Sequence, residues 1–170
     1  MAALTADQHT NRFGTPGNAS QPINLPVKAN STVYRGSVAI TRSGYMVPAT
    51  TPQSTDLVWG LVGQAGPGSI NGSPGIVGGT TDGAVNVEVD TGSFWLNSGT
   101  GSDAIVAANI GATCYLMNET TVGLTSSGNS RPVAGIVLAV AGTNYPVVAP
   151  IQSGQVAVKL GNAQSTGAPQ

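Results

Sequence analysis

Charged side chains are scarce in this sequence: six Lys and Arg and seven Asp and Glu make up 8% of its 170 residues. Ordinary soluble domains carry roughly a quarter. A monomer in free solution usually stays soluble through a mixed charged surface. A chain with so few charges must therefore expose neutral polar groups or have its surface covered by partners, and we expect a structural subunit.

Cysteine and histidine occur once each, as Cys114 and His9. A single cysteine excludes an internal disulfide framework and any CxxC metal or redox motif, and it fits maturation in a reducing compartment. His9 lies in a polar N-terminal stretch, where it cannot be held rigidly beside a nucleophile. We therefore expect no catalysis of the Ser-His-Asp or Cys-His type, no metal site and no cofactor.

Features of nucleic-acid and membrane proteins are also missing. The net charge is −1, and the six Lys and Arg are scattered from Arg12 to Lys159, which argues against a nucleic-acid partner. The longest apolar run, residues 133–141, is far below the ~18 residues that a transmembrane helix requires. The N-terminus shows neither the basic nor the apolar region of a secretory signal. We expect neither nucleic acid nor a membrane as a partner.

Turn residues and hydrophobic periodicity divide the chain into a body and two polar ends. Residues 1–22 are rich in Gly, Asn, Gln and Thr and show no hydrophobic period, which predicts an extended N-terminal arm. Residues 161–170 have the same character and predict a flexible C-terminal tail. Residues 23–160 predict a single all-β domain, a compact barrel or sandwich in which a jelly roll is one possible arrangement.

Two kinds of strand are expected in the body. In residues 84–90 three valines alternate with three polar residues, so one face is core and the other is solvated. Residues 155–160 repeat this pattern and should form the closing strand. Residues 57–62 and 133–140 lack alternation, which is typical of strands covered on both faces, and we place them at the centre.

The connections are predicted from turn chemistry. Residues 33–41 and 45–47 should form a hairpin, because the intervening turn contains a glycine that supplies a positive φ. Residues 64–82 predict a long loop rich in Gly, Ser and Pro. Residues 103–109 are the one stretch in which a helical turn is expected, capped by Asp103.

Glu88 and Asp90 are the best acid-base candidates in the chain. They lie two apart on one strand, so both side chains project from the same face about 7 Å apart, a separation that glycosidases use. Acidic residues on the exposed face of an amphipathic strand also keep it soluble and discourage edge pairing, and we favour this interpretation. A calcium site that adds Asp82 lacks the ligand spacing of a known loop.

Residues 99–104 match the G-x-G-x-x-A pattern of dinucleotide sites and follow a predicted strand. The pattern works through a helix N-terminus aimed at the pyrophosphate, and only about eight residues are available before Gly111 ends the segment. In a chain with 24 glycines we interpret the match as chance.

Aromatic and apolar side chains outside the core are the candidates for contacts with a partner. Adjacent Phe94 and Trp95 must point to opposite faces of a strand, so we expect one of them to lie outside the core and meet a neighbouring subunit. Trp59 and Trp95 could instead form a platform that stacks on sugars. The predicted partner-binding residues are Phe13, Ile23, Leu25, Trp59, Phe94 and Trp95.

Several turn and strand motifs occur in an order that resembles small bacteriophage head proteins of the decoration, cement and capsid-fibre type. The motifs are VAITRSGYMVP at residues 38–48, VNVEVDTGSFWL at 85–96, IGATCYLMN at 110–118 and RPVAGIV at 131–137. The resemblance extends over residues 33–148. The chain departs from it in its weakly acidic loops and in the glycine-rich segment 64–82.

The resemblance implies binding and no enzymatic activity. Proteins of that type sit on the outside of an icosahedral head as trimers and clamp neighbouring major capsid protein subunits against the pressure of the genome. For this chain it implies two partners, the major capsid protein and further copies of itself, and a place on the virion after synthesis in the host cytoplasm. A receptor-binding fibre tip or carbohydrate-binding module is the alternative, and a glycoside hydrolase using Glu88 and Asp90 is a third possibility.

Overall fold

The structure, a computed structural model, describes residues 22–63, 75–143, 146 and 151–161. These residues are all-β, as the alternation predicted. The strands are β1 (Ile23–Pro26), β2 (Thr32–Val33), β3 (Val38–Arg42), β4 (Tyr45–Val47), β5 (Leu57–Val62), β6 (Ile76–Val77), β7 (Asn86–Asp90), β8 (Ser93–Ser98), β9 (Thr113–Asn118), β10 (Thr121–Gly123), β11 (Val133–Val140) and β12 (Gln155–Leu160).

The strands form a sheet, a closed barrel and a small pair. The five-stranded sheet has the order β1-β7-β5-β3-β4, the barrel runs β10-β8-β12-β11-β9, and β2 pairs with β6. Neighbours are antiparallel except β10 and β8, which are parallel. A parallel bridge between Val27 and Met46, with the Lys28 N–H donating to the Met46 carbonyl oxygen at 3.0 Å, brings the two edge strands of the sheet together. The sheet is therefore strongly curled.

The central and closing strands are those that the sequence predicted. β5 is the middle strand of the sheet, and β11 has a neighbour on each side in the barrel. β12 closes the barrel between β11 and β8. On β7, Val87 and Val89 are buried while Asn86 and Glu88 are exposed, so the predicted alternation is confirmed.

The hairpin is confirmed at its turn and corrected at its start. β3 and β4 pair from Arg42–Tyr45 to Ile40–Val47 around the two-residue turn Ser43-Gly44, whose φ angles are 53° and 87°. Both residues are left-handed, as a tight hairpin turn with native twist requires. The first strand begins at Val38 and not at residue 33, because Val33 belongs to β2 and pairs with Ile76.

Two further predictions need correction. The expected loop at 64–82 contains β6, and its residues 64–74 lie outside the described residues. Residues 103–109 do not form one helical turn, since separate 3₁₀ turns occupy Gly101–Asp103 and Ala107–Asn109 with extended backbone between them. Asp103 ends the first turn, and its carboxylate accepts hydrogen bonds from Thr125 and Arg131 where capping was expected. Neither turn has the length and hydrophobicity of a membrane-spanning helix.

One apolar cluster, here called the main core, joins the barrel to the sheet. Alternate residues of all five barrel strands converge in it, including Phe94, Leu116, Val122, Val137 and Val158. One face of the sheet contributes to the same cluster, through the buried side chains of Val38, Ile40, Val47, Val58 and Leu61. The barrel and the sheet thus bury their apolar faces against each other.

The opposite faces have smaller clusters of their own. The sheet core lies inside the curl and consists of Val27, Val33, Ala39, Met46, Val62, Val87 and Val89, with Ile23, Leu25, Trp59, Ile76 and Val85 packed against it. The outer cluster lies on the other face of the barrel strands and consists of Trp95, Ala139, Ala141 and Ala157, with Leu138 and Ile151. β5, β8 and β11 are therefore apolar on both faces, which explains their lack of alternation.

Two glycines allow neighbouring strands to approach closely at irregular points of the ladders. A Cβ atom added at Gly135 of β11 would lie 1.9 Å from the Lys159 carbonyl oxygen, and one added at Gly60 of β5 would lie 2.0 Å from that of Asp90. The strand register shifts next to each glycine. Since the clashing atoms are backbone, a side chain at either position requires the strands to separate.

We predict that Gly135→Ala destabilises the protein by about 3 kcal/mol or prevents folding, because β11 and β12 must move apart. Gly128→Ala is the matched control, since Gly128 has a φ of 68° and open space around its Cβ position. Because alanine is strained in left-handed backbone, the control should lower the free energy of unfolding by about 1 kcal/mol. Urea unfolding measures both, and an equal or smaller loss for Gly135→Ala would contradict the packing argument.

Candidate interaction surface

Six of the charged residues form ion pairs within the chain. Arg42 donates from Nε to Asp56 Oδ1 and from Nη2 to Asp56 Oδ2, each at 2.8 Å, and the Gln53 N–H donates to Oδ2 at 2.7 Å. Asp56 is buried, and the hydrogen bond to it raises the pKa of Arg42. This two-pronged pair holds the loop after β4 against β3 and leaves no carboxylate on the surface there.

A second pair holds the segments around the end of the barrel. Asp103 Oδ1 accepts hydrogen bonds from the Thr125 hydroxyl at 2.6 Å, from the Thr125 N–H at 3.2 Å and from Arg131 Nη1 at 2.8 Å. Arg131 also donates to the Thr125 carbonyl oxygen at 3.1 Å. The Thr125 hydroxyl first, and then Arg131, lower the pKa of Asp103.

A third pair lies at the edge of the sheet. Lys28 Nζ is 3.2 Å from Asp82 Oδ2, and the Ala29 N–H donates to Asp82 Oδ1 at 2.8 Å. These contacts, the Ala29 N–H foremost, lower the pKa of Asp82. Lys28 also lies over the Tyr45 ring, with Nζ 5.9 Å from the centroid. With six charges paired in this way, the surface is even poorer in unpaired charge than the composition indicates.

Five large apolar side chains are exposed in the described part of the chain, and three of them lie where the second 3₁₀ turn meets β11; the other two, Leu57 and Val77, lie on β5 and β6. Val106, Ile110 and Ile136 are 53%, 40% and 39% exposed and are called the barrel patch. The backbone brings them together, because the Gly111 N–H donates to the Val137 carbonyl oxygen at 2.8 Å and the Val137 N–H to that of Ala112 at 3.0 Å. Ile136 also pairs in register with Thr113 and Lys159. An apolar area with so little charge around it is typical of a surface that a partner covers.

Three of the predicted partner-binding residues, Ile23, Leu25 and Trp59, belong to the sheet. Ile23 and Leu25 lie on β1 opposite Val89 and Val87, and both are partly buried against the sheet core. Trp59 is half-buried against the same cluster, and its Nε1 donates to the Thr41 hydroxyl at 2.8 Å. Phe13 lies outside the described residues. Ile23, Leu25 and Trp59 therefore pack within the sheet, and they do not form a shared exposed surface.

The expectation that either Phe94 or Trp95 lies outside the core is wrong. They do point to opposite faces of β8, but both faces are covered by the chain itself. Phe94 is buried in the main core, and Trp95 is buried in the outer cluster against Ala139 and Ala157. Neither ring is available to a neighbouring subunit, and Trp95 is not available to a sugar.

The acidic residues form no metal site in the described part of the chain, where no group of three His, Cys, Asp or Glu is suitably placed. Asp82, proposed as a third ligand beside Glu88 and Asp90, is held by Lys28 and Ala29. Glu88 is exposed on β7, opposite Asn24 of β1. Gly101 begins a three-residue 3₁₀ turn, so the G-x-G-x-x-A segment has no helix longer than this turn to direct at a phosphate.

Sequence reasoning missed the ion pairs and the barrel patch. Asp103 and Arg131 are 28 positions apart, and no local pattern links them. One feature of the sequence could have indicated the barrel patch. The apolar residues of 104–110 lie between Gly101 and Gly111, in a segment too short to form a buried helix. Such residues need another chain or another element to cover them.

Cys114 is a core residue on β9. It is fully buried, and its thiol donates to the Gly135 carbonyl oxygen, with 3.6 Å between the two atoms. Burial raises the pKa of this thiol to about 12. The reactive thiolate is therefore almost absent at neutral pH.

We predict that a thiol reagent such as DTNB leaves Cys114 of the native protein unmodified for as long as the barrel stays closed. In denaturing urea the same reagent should react with one thiol per chain within minutes. Rapid reaction in native buffer would show that β9 and β11 open readily and would contradict the packed barrel.

We predict that Asp103→Asn lowers the free energy of unfolding by about 1–3 kcal/mol at neutral pH, since the charged acceptor of three hydrogen bonds is lost. The folded pKa lies below the ordinary 3.8, so ionised Asp103 stabilises the fold above that pH. This contribution disappears as pH falls through the folded pKa. The difference between the two proteins should therefore shrink toward zero at acidic pH, as measured by urea unfolding. A pH-independent difference would contradict the ionic assignment.

Comparison with known protein families, with curated proteins and with solved structures finds no match to this chain. The assignment of a function therefore depends on the residues and the geometry described above.

Proposed function

We propose that this protein is a structural subunit of a phage virion, which binds the outside of the capsid and cements neighbouring major capsid protein subunits. The observation that carries the proposal is the combination of internally paired charges with an exposed apolar barrel patch. A free monomer gains little from pairing its charges within the chain while exposing isoleucine and valine. A subunit that other proteins cover gains interface area in this way.

The N-terminal arm is the second part of the proposed mechanism. Residues 1–22 cannot bury a core alone, so the arm orders along a capsid groove or against a strand edge of a neighbour when it binds. It leads directly into β1, which pairs with β7 over four residues, and Val27 is fully buried. Tension on the arm is therefore transmitted into the sheet core and from there to the barrel.

Capsid geometry explains how weak contacts are sufficient. Each copy offers a shallow patch and an arm, and neither contact needs high affinity by itself. When one copy touches several capsid subunits, the second contact forms at the high effective concentration that the first creates. The main core keeps the barrel and the sheet together, so a contact on one restrains the other.

The two alternatives receive less support from the geometry. A carbohydrate platform needs exposed aromatic faces, whereas Trp95 is buried and the indole of Trp59 is half-buried and hydrogen-bonded to Thr41. A glycosidase needs one carboxyl group in an apolar or water-excluding site, whereas Glu88 lies on an exposed strand face beside Asn24. Binding by the uncharged surface is the function that these residues support best.

We predict that deletion of residues 1–22 leaves a folded protein that no longer coats phage heads, because the body lacks its anchoring segment. Co-sedimentation with purified heads measures binding, and thermal unfolding checks that the truncated body is intact. A chain lacking residues 162–170 is the matched control, and it should still bind. Full binding by the protein without its arm would exclude the arm from the mechanism.

A further inference from the structure

Two charged side chains of the described part of the chain have no polar partner within it, those of Glu88 and Lys159. Lys28, Arg42 and Arg131 are paired with Asp82, Asp56 and Asp103. Arg35, Asp90 and Glu119 also take part in polar or electrostatic contacts. The two that remain have opposite signs and lie on different parts of the fold, one on the sheet and one on the barrel.

Lys159 lies at the barrel patch. Its strand neighbour in register on β11 is Ile136, and the next strand along, β9, places Thr113 opposite Ile136. Lys159 and Thr113 are exposed on either side of the isoleucine. Lys159 is thus a cation at the margin of an apolar area, where it can direct a partner without being buried at the centre.

Glu88 lies on an exposed polar face formed by β7 and β1. It is exposed on β7 opposite Asn24 of β1, and Asn86 is exposed two residues before it, opposite Pro26. Asn24, Asn86 and Glu88 form what we call the β7 face. Its side chains offer amide groups and the carboxylate of Glu88. Asp90 projects from the same face two residues further along β7, where it is partly buried and takes part in other contacts, so the face is anionic.

We propose that the barrel patch of one copy docks on the β7 face of a second copy, with Lys159 of the first opposite Glu88 of the second. The inference deepens the proposed function, because it takes the expected trimer as its starting point. A ring of three copies joins two different surfaces at each contact, whereas a two-fold dimer can join one surface to itself. One cationic apolar patch and one anionic polar face are two such surfaces.

The two components of this contact have different roles. Burial of Val106, Ile110 and Ile136 supplies the nonspecific attraction, since all three are substantially exposed in the single chain. The Lys159–Glu88 pair fixes which surface is chosen and in which register, because a like-charge pairing at that position is repelled. In a chain with so few charges, one pair is enough to distinguish the correct neighbour from other contacts.

Charge reversal tests the pairing directly in the full-length protein. Lys159→Glu places two carboxylates opposite each other, and Glu88→Lys places two ammonium groups opposite each other. The double variant carries both changes, has the same net charge as the natural chain, and restores an attractive pair with the signs exchanged. Asn97→Glu, on an exposed position of β8, is the control for added negative charge.

Sedimentation velocity across a concentration series is the measurement. The natural chain and Asn97→Glu should sediment as three copies, each single reversal should weaken association by about tenfold or more, and the double variant should recover most of that loss. Unchanged association of the single variants would overturn the inference. So would failure of the double variant to recover while thermal unfolding shows it folded, and so would a natural chain that stays monomeric throughout.

Head binding separates this inference from the function on which it rests. A natural chain that is monomeric and still binds phage heads leaves the capsid proposal standing and removes the Lys159–Glu88 contact. A trimer that responds to charge reversal as described but binds no heads supports the contact and contradicts the capsid role.

Discussion

The position of every exposed side chain depends on the main core, which the barrel and the curled sheet share. Because Phe94, Leu116 and Val158 of the barrel meet Ile40 and Leu61 of the sheet in one cluster, neither part can rotate against the other without exposing apolar surface. The close approaches at Gly60 and Gly135 bring the strands together tightly enough for this cluster to close. The barrel patch and the β7 face are consequently fixed relative to one another, as the proposed repeated contacts in a shell require.

The charged side chains are largely paired within the chain, so the surface of the protein carries few unpaired charges. Three ion pairs consume six of the few charged groups, and each holds a loop or edge in place: Arg42 with Asp56, Arg131 with Asp103, and Lys28 with Asp82. What remains outside is largely amide, hydroxyl, glycine and aliphatic surface. Such a surface suits shallow contacts in which no ion has to lose its water.

Much of the fold could be predicted from the sequence, and little of the surface could. Alternation identified β7 and β12, and its absence identified β5 and β11, because burial on one or two faces acts directly on the residue pattern. β1, β2 and β6 were not predicted, because strands this short contain too few residues to show a hydrophobic period. Phe94 and Trp95 were misjudged for a different reason: opposite faces of a strand can both be covered when the barrel has an outer cluster, and sequence does not show that covering. The Asp103–Arg131 pair and the barrel patch depend on long-range contacts in the same way.

The central claim is that the charge-poor surface of this protein is covered when the protein binds to a virion. The most direct test is to purify virus particles from the lysate in which the protein is made, wash them gently, and quantify the chain against the major capsid protein by mass spectrometry. The account predicts that the chain stays with the particles, in a fixed ratio to the capsid protein that repeats between preparations. Recovery of the chain only in the soluble fraction, with none on the washed particles, would contradict it.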